Sequence, residues 1–383
     1  MLFKIPRLEP IDLGVVDQIK TAKANLAHAL SVPRRWSGLL RRSLIGRAIR
    51  GSNSIEGYRI ELPDVVAAAT GESVDADVPT MQATEGYRRA MTYMLQLSRD
   101  PHFQWSEQVI KGLHYMMMEH EWDKSPGQWR PGPVFVFDEE KQEQVYEGPD
   151  FTLVPALMAE LLESLVGADD AVPDLVQGAM AHLNLTMIHP FRDGNGRMAR
   201  CLQTLVLGRS GILEPPFSSI EEYLGVHQYP YYDVLSKVGR GAWHPENSAR
   251  PFVRFCIRAH YYQAHTILHR VAEGQRVWAE LEKEIHKRKL PERAALALWD
   301  AAMGFRVVNA TYRAAAEISQ PLASRELTEL AMAGLLVAKG AKRGRSYAAA
   351  PRLIEIRQKT AGERKIPDPY AEPTQLGSSS LVV

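Results

Sequence analysis

Apolar residues recur at three- and four-residue spacing along most of the chain, and that period predicts helices. Residues 15–50 read this way, with Leu39, Leu40, Leu44 and Ile45 among the apolar positions. The rhythm breaks after Trp122 at Pro126, Gly127, Pro131, Gly132 and Pro133, followed by Val134-Phe135-Val136-Phe137. Turn residues feeding a short branched and aromatic run predict a hairpin, with Val134 and Val136 on one side. Helical spacing returns from Phe151 to Val166. Leu175, Val176, Ala179, Met180, Leu183 and Met187 then form one stripe, and Met198, Ala199, Leu202, Leu205 and Val206 form the next. Pro190 and Gly194 separate the two stripes, and the second helix is predicted to end near residues 208–211, before Pro215-Pro216. Residues 189–200 are therefore the junction of a helix–loop–helix whose glycines open the second helix.

Beyond about Leu268 the composition shifts to Ala, Arg, Lys and Glu. Short helices are expected from Ala294, leading to a basic strand–turn–strand from Val337 to Tyr347 and ending near Ile356. That order suits a winged helix, with residues 324–336 as the recognition-type helix and Lys339, Lys342, Arg343 and Arg345 in the wing. Such a module docks on DNA or on protein, and both partners stay open. Residues from about Thr360 show no pattern and are expected to form a frayed tail. No internal repeat is present.

With 383 residues, 45% hydrophobic and 24% charged, the profile is that of a globular protein of two or three domains. A formal net charge of +1 gives no general pull toward nucleic acid or anionic lipid. No apolar run approaches the roughly 20 residues needed to span a bilayer, so no membrane partner is expected. The opening MLFKIPRLEPIDLG lacks the apolar core of a signal peptide. Two cysteines, Cys201 and Cys256, argue against a disulfide framework and for a reducing, cytoplasmic setting.

The chemistry concentrates in His189-Pro190-Phe191-Arg192-Asp193-Gly194-Asn195-Gly196-Arg197-Met198-Ala199-Arg200. A helix start preceded by glycines binds phosphate, because its free N–H groups and positive dipole end face the anion. Gly194 and Gly196 let the backbone approach, and Asn195 can add side-chain donors. Arg197 and Arg200, three residues apart, share a helix face and suit the outer phosphates of a triphosphate. Asp193 is placed to hold Mg²⁺. His189 can be neutral near pH 7 and take a proton from an attacking hydroxyl.

This run resembles the Fic family signature, His-x-Phe-x-(Asp/Glu)-Gly-Asn-Gly-Arg-x-x-Arg, at every specified position. The resemblance implies an all-α fold: a Fic helical core with a small β-hairpin flap, here followed by the C-terminal winged-helix-like domain. It implies protein adenylylation, the transfer of AMP from the substrate ATP with Mg²⁺ to a Ser, Thr or Tyr hydroxyl of a protein. His189 would be the general base and Asp193 the metal ligand. Gly194, Asn195 and Gly196 would form the anion hole, Arg197 would bind inner phosphate oxygens and Arg200 the γ-phosphate. Gly51-Ser52-Asn53-Ser54-Ile55-Glu56-Gly57 is similar to the family's inhibitory motif, (Ser/Thr)-x-x-x-Glu-(Gly/Asn). Ser52, Glu56 and Gly57 would then form a lock in which Glu56 pairs with Arg200. The hairpin after Gly127-Gln128-Trp129-Arg130 resembles the family flap, with Val134 and Val136 docking the target. Tyr231-Tyr232 and Gly241-Ala242-Trp243 resemble the stretches that follow the motif in relatives, with Ala242 in place of the usual Asp. Tyr231 and Tyr232 are read either as nucleotide contacts or as core.

Over roughly residues 20–265 the resemblance implies an N-terminal helical region with the inhibitory helix (1–100) and a catalytic core (101–265); the residue pattern adds a linker helix with the winged-helix-like domain (266–358) and a flexible tail (359–383). A protein substrate, the chain itself included, is the expected partner, with a homodimer as in many relatives. DNA is the partner if the C-terminal domain docks there. Two alternatives stand beside adenylylation: AMP removal, alone or as a dual activity, and a DNA-binding regulator carrying a Fic core.

Overall fold

The computed structural model describes residues 1–31, 34–68, 76–138, 142–167, 171–211, 213–340, 345–362 and 365–371. The fold is all-α. Helices α1 (Pro10–Ser31), α2 (Ser37–Ile55), α3 (Leu62–Ala68), α4 (Val78–Arg99) and α5 (Glu107–Met118) precede a hairpin of β1 (Phe135–Asp138) and β2 (Glu143–Glu147). There follow α6 (Val154–Val166), α7 (Asp174–Ile188), α8 (Asn195–Arg209), the short α9 (Pro215–Ser218) and α10 (Glu221–Val226), then α11 (Gln228–Gly239) and α12 (Arg250–Arg288). The C-terminal elements are α13 (Ala294–Ala302), α14 (Asn309–Ala316), α15 (Gln320–Met332), β3 (Leu336–Lys339), β4 (Ser346–Ala349) and α16 (Pro351–Thr360). Single-turn helices lie at Trp122–Lys124 and Phe151–Leu153.

Local signals set several starts. Asp77 accepts from the Thr80 N–H at 2.8 Å ahead of a proline in the first turn of α4, and Ser106 accepts from the Val109 N–H ahead of α5. The buried faces then converge on three cores. One gathers Met91, Met94, Leu113, Met117, Met158, Phe191, Met198 and Leu202 from α4, α5, α6, the 189–194 loop and α8. A second joins α1, α7 and the first half of α12 through Val15, Ile19, Leu183, Phe252 and Ile257. The third collects Trp36, Leu40, Val271, Leu281, Leu298 and Trp299 with the C-terminal elements. Helix α12, 39 residues and about 58 Å long, runs through the second and third cores and ties them together. The boundary expected at residue 265 falls inside it.

The segment expected to be inhibitory is seated by close packing. On α2, a Cβ at Gly51 would stand 2.8 Å from the Glu222 Cα, and one at Gly225 would stand 2.7 Å from the Gly51 Cα. Only glycines allow α2 and α10 to approach so closely. Beside this crossing, Glu222 accepts from Arg47 of α2 at 3.1 Å and from Arg270 of α12 at 2.6 and 2.7 Å. Burial pushes the Glu222 carboxyl up, but Arg270 and Arg47 outweigh it and hold it at about 2.

Helices α13 to α15 followed by the antiparallel pair β3–β4 have the element order of a winged helix. Lys342 and Arg343 of the expected wing lie outside the described residues. The expected tail differs in its first part. Thr360 ends α16, and residues 365–371 lie on the core, with Ile366 and Tyr370 packed against it and Arg254 and Arg258 over the Tyr370 ring. Apolar side chains only four apart were enough to dock a stretch too short to show a period.

Candidate active site

Helix α7 ends at His189, whose left-handed backbone (φ 52°) turns the chain into the loop and costs about 1 kcal/mol for a residue with a Cβ. Its Nδ1 lies 3.1 Å from the Thr186 carbonyl, which can only accept, so the proton sits on Nδ1 and the Nε2 lone pair is left for a reacting group. Burial lowers the imidazole's pKa below its ordinary value, and nearby Arg130 adds to this while Glu56 and Asp193 oppose it. The ring is therefore neutral at pH 7.

The loop that follows is pinned from inside. Phe191 is fully buried and stacks on His114 with ring centroids 3.6 Å apart. Asn195 closes the loop with two bonds of 2.9 Å, accepting from the Phe191 N–H and donating to the Phe191 carbonyl. The expected side-chain donation by Asn195 to an anion is thus corrected: its amide holds the loop, and what the position offers an anion is its backbone N–H. Gly194 (φ 73°) permits the left-handed turn into α8. The first turn of α8 then leaves the N–H groups of Asn195, Gly196 and Arg197 without intrahelical partners, which makes an anion cradle.

Both arginines are buried beside this cradle at 1% exposure. Arg200 donates from Nε to the Ser52 hydroxyl at 2.8 Å, and from Nη2 to the Ser52 carbonyl at 3.1 Å and to Glu56 Oε1 at 2.6 Å. Burial raises the Glu56 carboxyl, but Arg200 and Arg197 outweigh it and hold it below the usual range. Burial lowers the Arg200 pKa, and Glu56 more than reverses that. The Glu56 carboxylate hangs directly over the cradle: a Cβ at Gly196 would stand 2.6 Å from its Oε1. Gly57 follows in a left-handed turn at φ 86°. Arg197 has no carboxylate of this kind. Its Nη2 reaches the Met118 sulfur at 3.0 Å, its Nε and Nη1 have no hydrogen-bond partner among the described residues, and the Tyr58 ring lies 5.4 Å away. A buried guanidinium so poorly paired is primed for an anion.

Asp193 is about two-fifths exposed, with Lys124 Nζ 3.8 Å from its Oδ2, and its Oδ1 accepts from the Gly194 N–H at 2.5 Å. Among the described residues no cluster of three His, Cys, Asp or Glu side chains could cage a metal ion. A single open carboxylate beside a phosphate cradle suits Mg²⁺, which takes one or two protein carboxylates and fills its shell with phosphate oxygens and water.

The other expected residues divide. Tyr231 is 1% exposed and its hydroxyl bonds His182 Nε2 at 2.8 Å, so it lies in the core and is not a nucleotide contact. Tyr232 donates to the Ile55 carbonyl at 3.0 Å and so holds the end of α2 next to Glu56. Gly241-Ala242-Trp243 braces the hairpin: the Gly241 carbonyl accepts from the Glu147 N–H at 2.9 Å, and Trp243 packs edge-on against Phe3. In the hairpin, β1 pairs with β2, and among the described residues no strand pairs with its other edge. Val134 and Val136, the residues expected to dock the target, are half-buried, with Val136 packed against the second core, while Phe135 and Phe137 are exposed.

Two residues have no role in the sequence reading. His114 is fully buried, accepts from the Gly127 N–H on Nδ1 at 2.9 Å and donates from Nε2 to the Asp193 carbonyl at 2.9 Å. It fixes the backbone at Asp193. Its place in the apolar stripe of α5 is the only signal that could have found it. Arg130 sits at the hairpin root, with its side chain aimed at the carbonyl of His189.

An all-α fold thus presents, on one helix–loop–helix, a histidine with a left-handed backbone, a glycine cradle suited to an anion and two buried arginines. Residues 104–207 match the model of the Fic/DOC family, and the chain carries a Fic domain. It is 26% identical over 263 residues to the protein adenylyltransferase Fic of Nematostella vectensis, covering 66% of this chain and 56% of that protein. It is 34% identical over 120 residues to the protein adenylyltransferase Fic of Culex quinquefasciatus, covering 30% and 22%. The chain thus spans little more than half, or less, of the length of these curated relatives. A Fic family protein from Desulfovibrio desulfuricans superposes with a TM-score of 0.59 at 23% identity, covering 91% of this chain and 98% of that one.

Proposed function

We propose that the chain transfers AMP from ATP to a Ser, Thr or Tyr hydroxyl of a protein, and that Glu56 represses the reaction. One observation carries the reading: a neutral His189 with its Nε2 lone pair available stands at the same loop as a phosphate cradle whose Arg200 is engaged by Glu56. In the reaction, His189 Nε2 takes the proton of the target hydroxyl as its oxygen attacks the α-phosphorus. The bond from the α-phosphorus to the bridging oxygen breaks, and pyrophosphate leaves. Once Glu56 has left Arg200, the α8 N–H groups, Arg197 and Arg200 neutralise the phosphate charge. Asp193 would hold Mg²⁺, which supplies charge neutralisation on phosphate oxygens when bound. A target segment adds to the open edge of β1 by strand pairing, which places its hydroxyl over the cradle.

Repression follows from charge. With Glu56 on Arg200, a γ-phosphate meets a carboxylate where it needs a guanidinium. The test is label transfer from α-³²P-ATP with Mg²⁺, using the native chain, Glu56→Gly, and Glu56→Gly combined with His189→Ala. Label on Glu56→Gly or an added protein, lost in the double variant, supports the reading. Absence of label with ATP binding intact refutes AMP addition. The position of Glu56 over the cradle also suits AMP removal with Glu56 orienting water, so the native chain is assayed in parallel for release of AMP from an adenylylated protein.

A further inference from the structure

The last carbonyls of a helix have no intrahelical donors and must find others. In α7 these carbonyls carry the catalytic base. The Thr186 carbonyl takes the His189 ring N–H, and the Met187 carbonyl takes the Tyr146 hydroxyl of β2 at 2.6 Å. The remainder fall to Arg130. Its Nε donates to the His189 carbonyl at 2.8 Å, and Nη2 reaches the Ile188 carbonyl at 3.5 Å. The same guanidinium grips both legs of the hairpin. Nη1 donates to the Gly132 carbonyl just before β1 at 2.7 Å, and Nη2 donates to the Pro149 carbonyl just after β2 at 2.5 Å. Its backbone N–H donates to the Pro190 carbonyl at 2.8 Å. The side chain is 3% exposed, so a full positive charge is held at the negative end of α7 by carbonyl oxygens. A merely structural cap would need neither the charge nor the contacts with both legs.

We propose that Arg130 is a positioning residue: one guanidinium sets the orientation of His189 and the placement of the target-docking hairpin together, so that base and hydroxyl arrive in register. This rests on the transferase reading above. Lysine at 130 keeps the charge but lacks the planar fork that reaches four carbonyls at once. Gly148 offers a second handle. A Cβ there would stand 3.2 Å from Arg130 Nη2 and 2.7 Å from the Val134 Cγ1, displacing the guanidinium without removing it.

The experiment uses the full chain in the Glu56→Gly background with Arg130→Gln, Arg130→Lys and Gly148→Ala. Label transfer gives kcat and the KM for ATP, and NMR follows the His189 imidazole through its titration. With Glu56 at the end of α2 replaced, Asp193 of the loop and Arg130 of the hairpin root are the charged groups facing that ring. Arg130→Gln should lower kcat about 100-fold, the cost of a misplacement near 1 Å, with the KM for ATP unchanged. The imidazole should titrate at higher pH once the neighbouring cation is gone. Arg130→Lys should restore the titration and only part of kcat, and Gly148→Ala should lower kcat with the charge still present. Unchanged kcat in Arg130→Gln and Gly148→Ala, or a loss confined to the KM for ATP, overturns the proposal. If Arg130→Gln does not fold, Arg130→Lys and Gly148→Ala decide it. If the Glu56→Gly parent transfers no AMP, the transferase reading fails. The His189 titration in Arg130→Gln and the His189 tautomer in Gly148→Ala then decide the positioning role, and an imidazole indistinguishable from the parent's in both refutes it.

Discussion

Replacing Glu56 with glycine should make the protein less stable and more active at once. The bond from Arg200 Nη2 to Glu56 Oε1 is 2.6 Å long, and Glu56 is about a quarter exposed (23%) while Arg200 is 1% exposed. A charge-assisted hydrogen bond in a partly wetted setting is worth about 2 kcal/mol. ATP must displace that bond to place its γ-phosphate on Arg200, so removing it should tighten productive ATP binding by about 30-fold, at 1.4 kcal/mol per tenfold. The folded chain loses the same contact, and Arg200 keeps its two bonds to Ser52. Unfolding should therefore become easier by about 1–2 kcal/mol. Calorimetric titration of ATP and label transfer read the first effect, and urea unfolding reads the second. Glu56→Gln, which keeps the length and loses the charge, should fall between the two chains in both. Equal ATP affinity and equal transfer in native and Glu56→Gly proteins would refute the reasoning, because the pair would then not oppose the nucleotide.

His189→Ala in the same background should abolish transfer and leave ATP binding intact, since the ring touches no phosphate-binding group; retained transfer would remove it as the base. Acid should destabilise the fold early. Burial lowers His114 to about 4 and His182 to about 3, so both are neutral when folded and take protons on unfolding. The unfolded chain binds more protons between the ordinary histidine value near 6.5 and those folded values. Stability is therefore full above about pH 6.5 and falls below it, by up to about 1.4 kcal/mol per pH unit for each ring. Urea midpoints at pH 7 and pH 5 check the slope. Gly51→Ala should push α2 off α10, because its Cβ would stand 2.8 Å from the Glu222 Cα. A loss of about 1–3 kcal/mol with raised transfer is expected; an unaltered melting temperature would show that the crossing is looser than described.

Much of this molecule was legible in the chain. The apolar period marked α7 and α8 and the break between them, because a helix must bury one stripe whatever it packs on. His189, Asp193, Gly194, Gly196, Arg197 and Arg200 lie within twelve residues, so local geometry alone brings them together at one helix start. The hairpin was legible from its turn residues. What spacing along the chain could not supply came from residues far apart, even where, as for Glu56 and Arg200, the resemblance implied the pair. Arg200 meets Ser52 and Glu56 from 148 and 144 positions away, and spacing says nothing about such distances. Tyr231 could stack or be buried until α12 and His182 closed over it. The amide of Asn195 had two uses, and the loop took it. Arg130 and His114 are unremarkable as residue types. They matter because folding delivers them to backbone carbonyls that a helix end and a turn leave without donors, and only the tertiary structure decides which side chain fills that need.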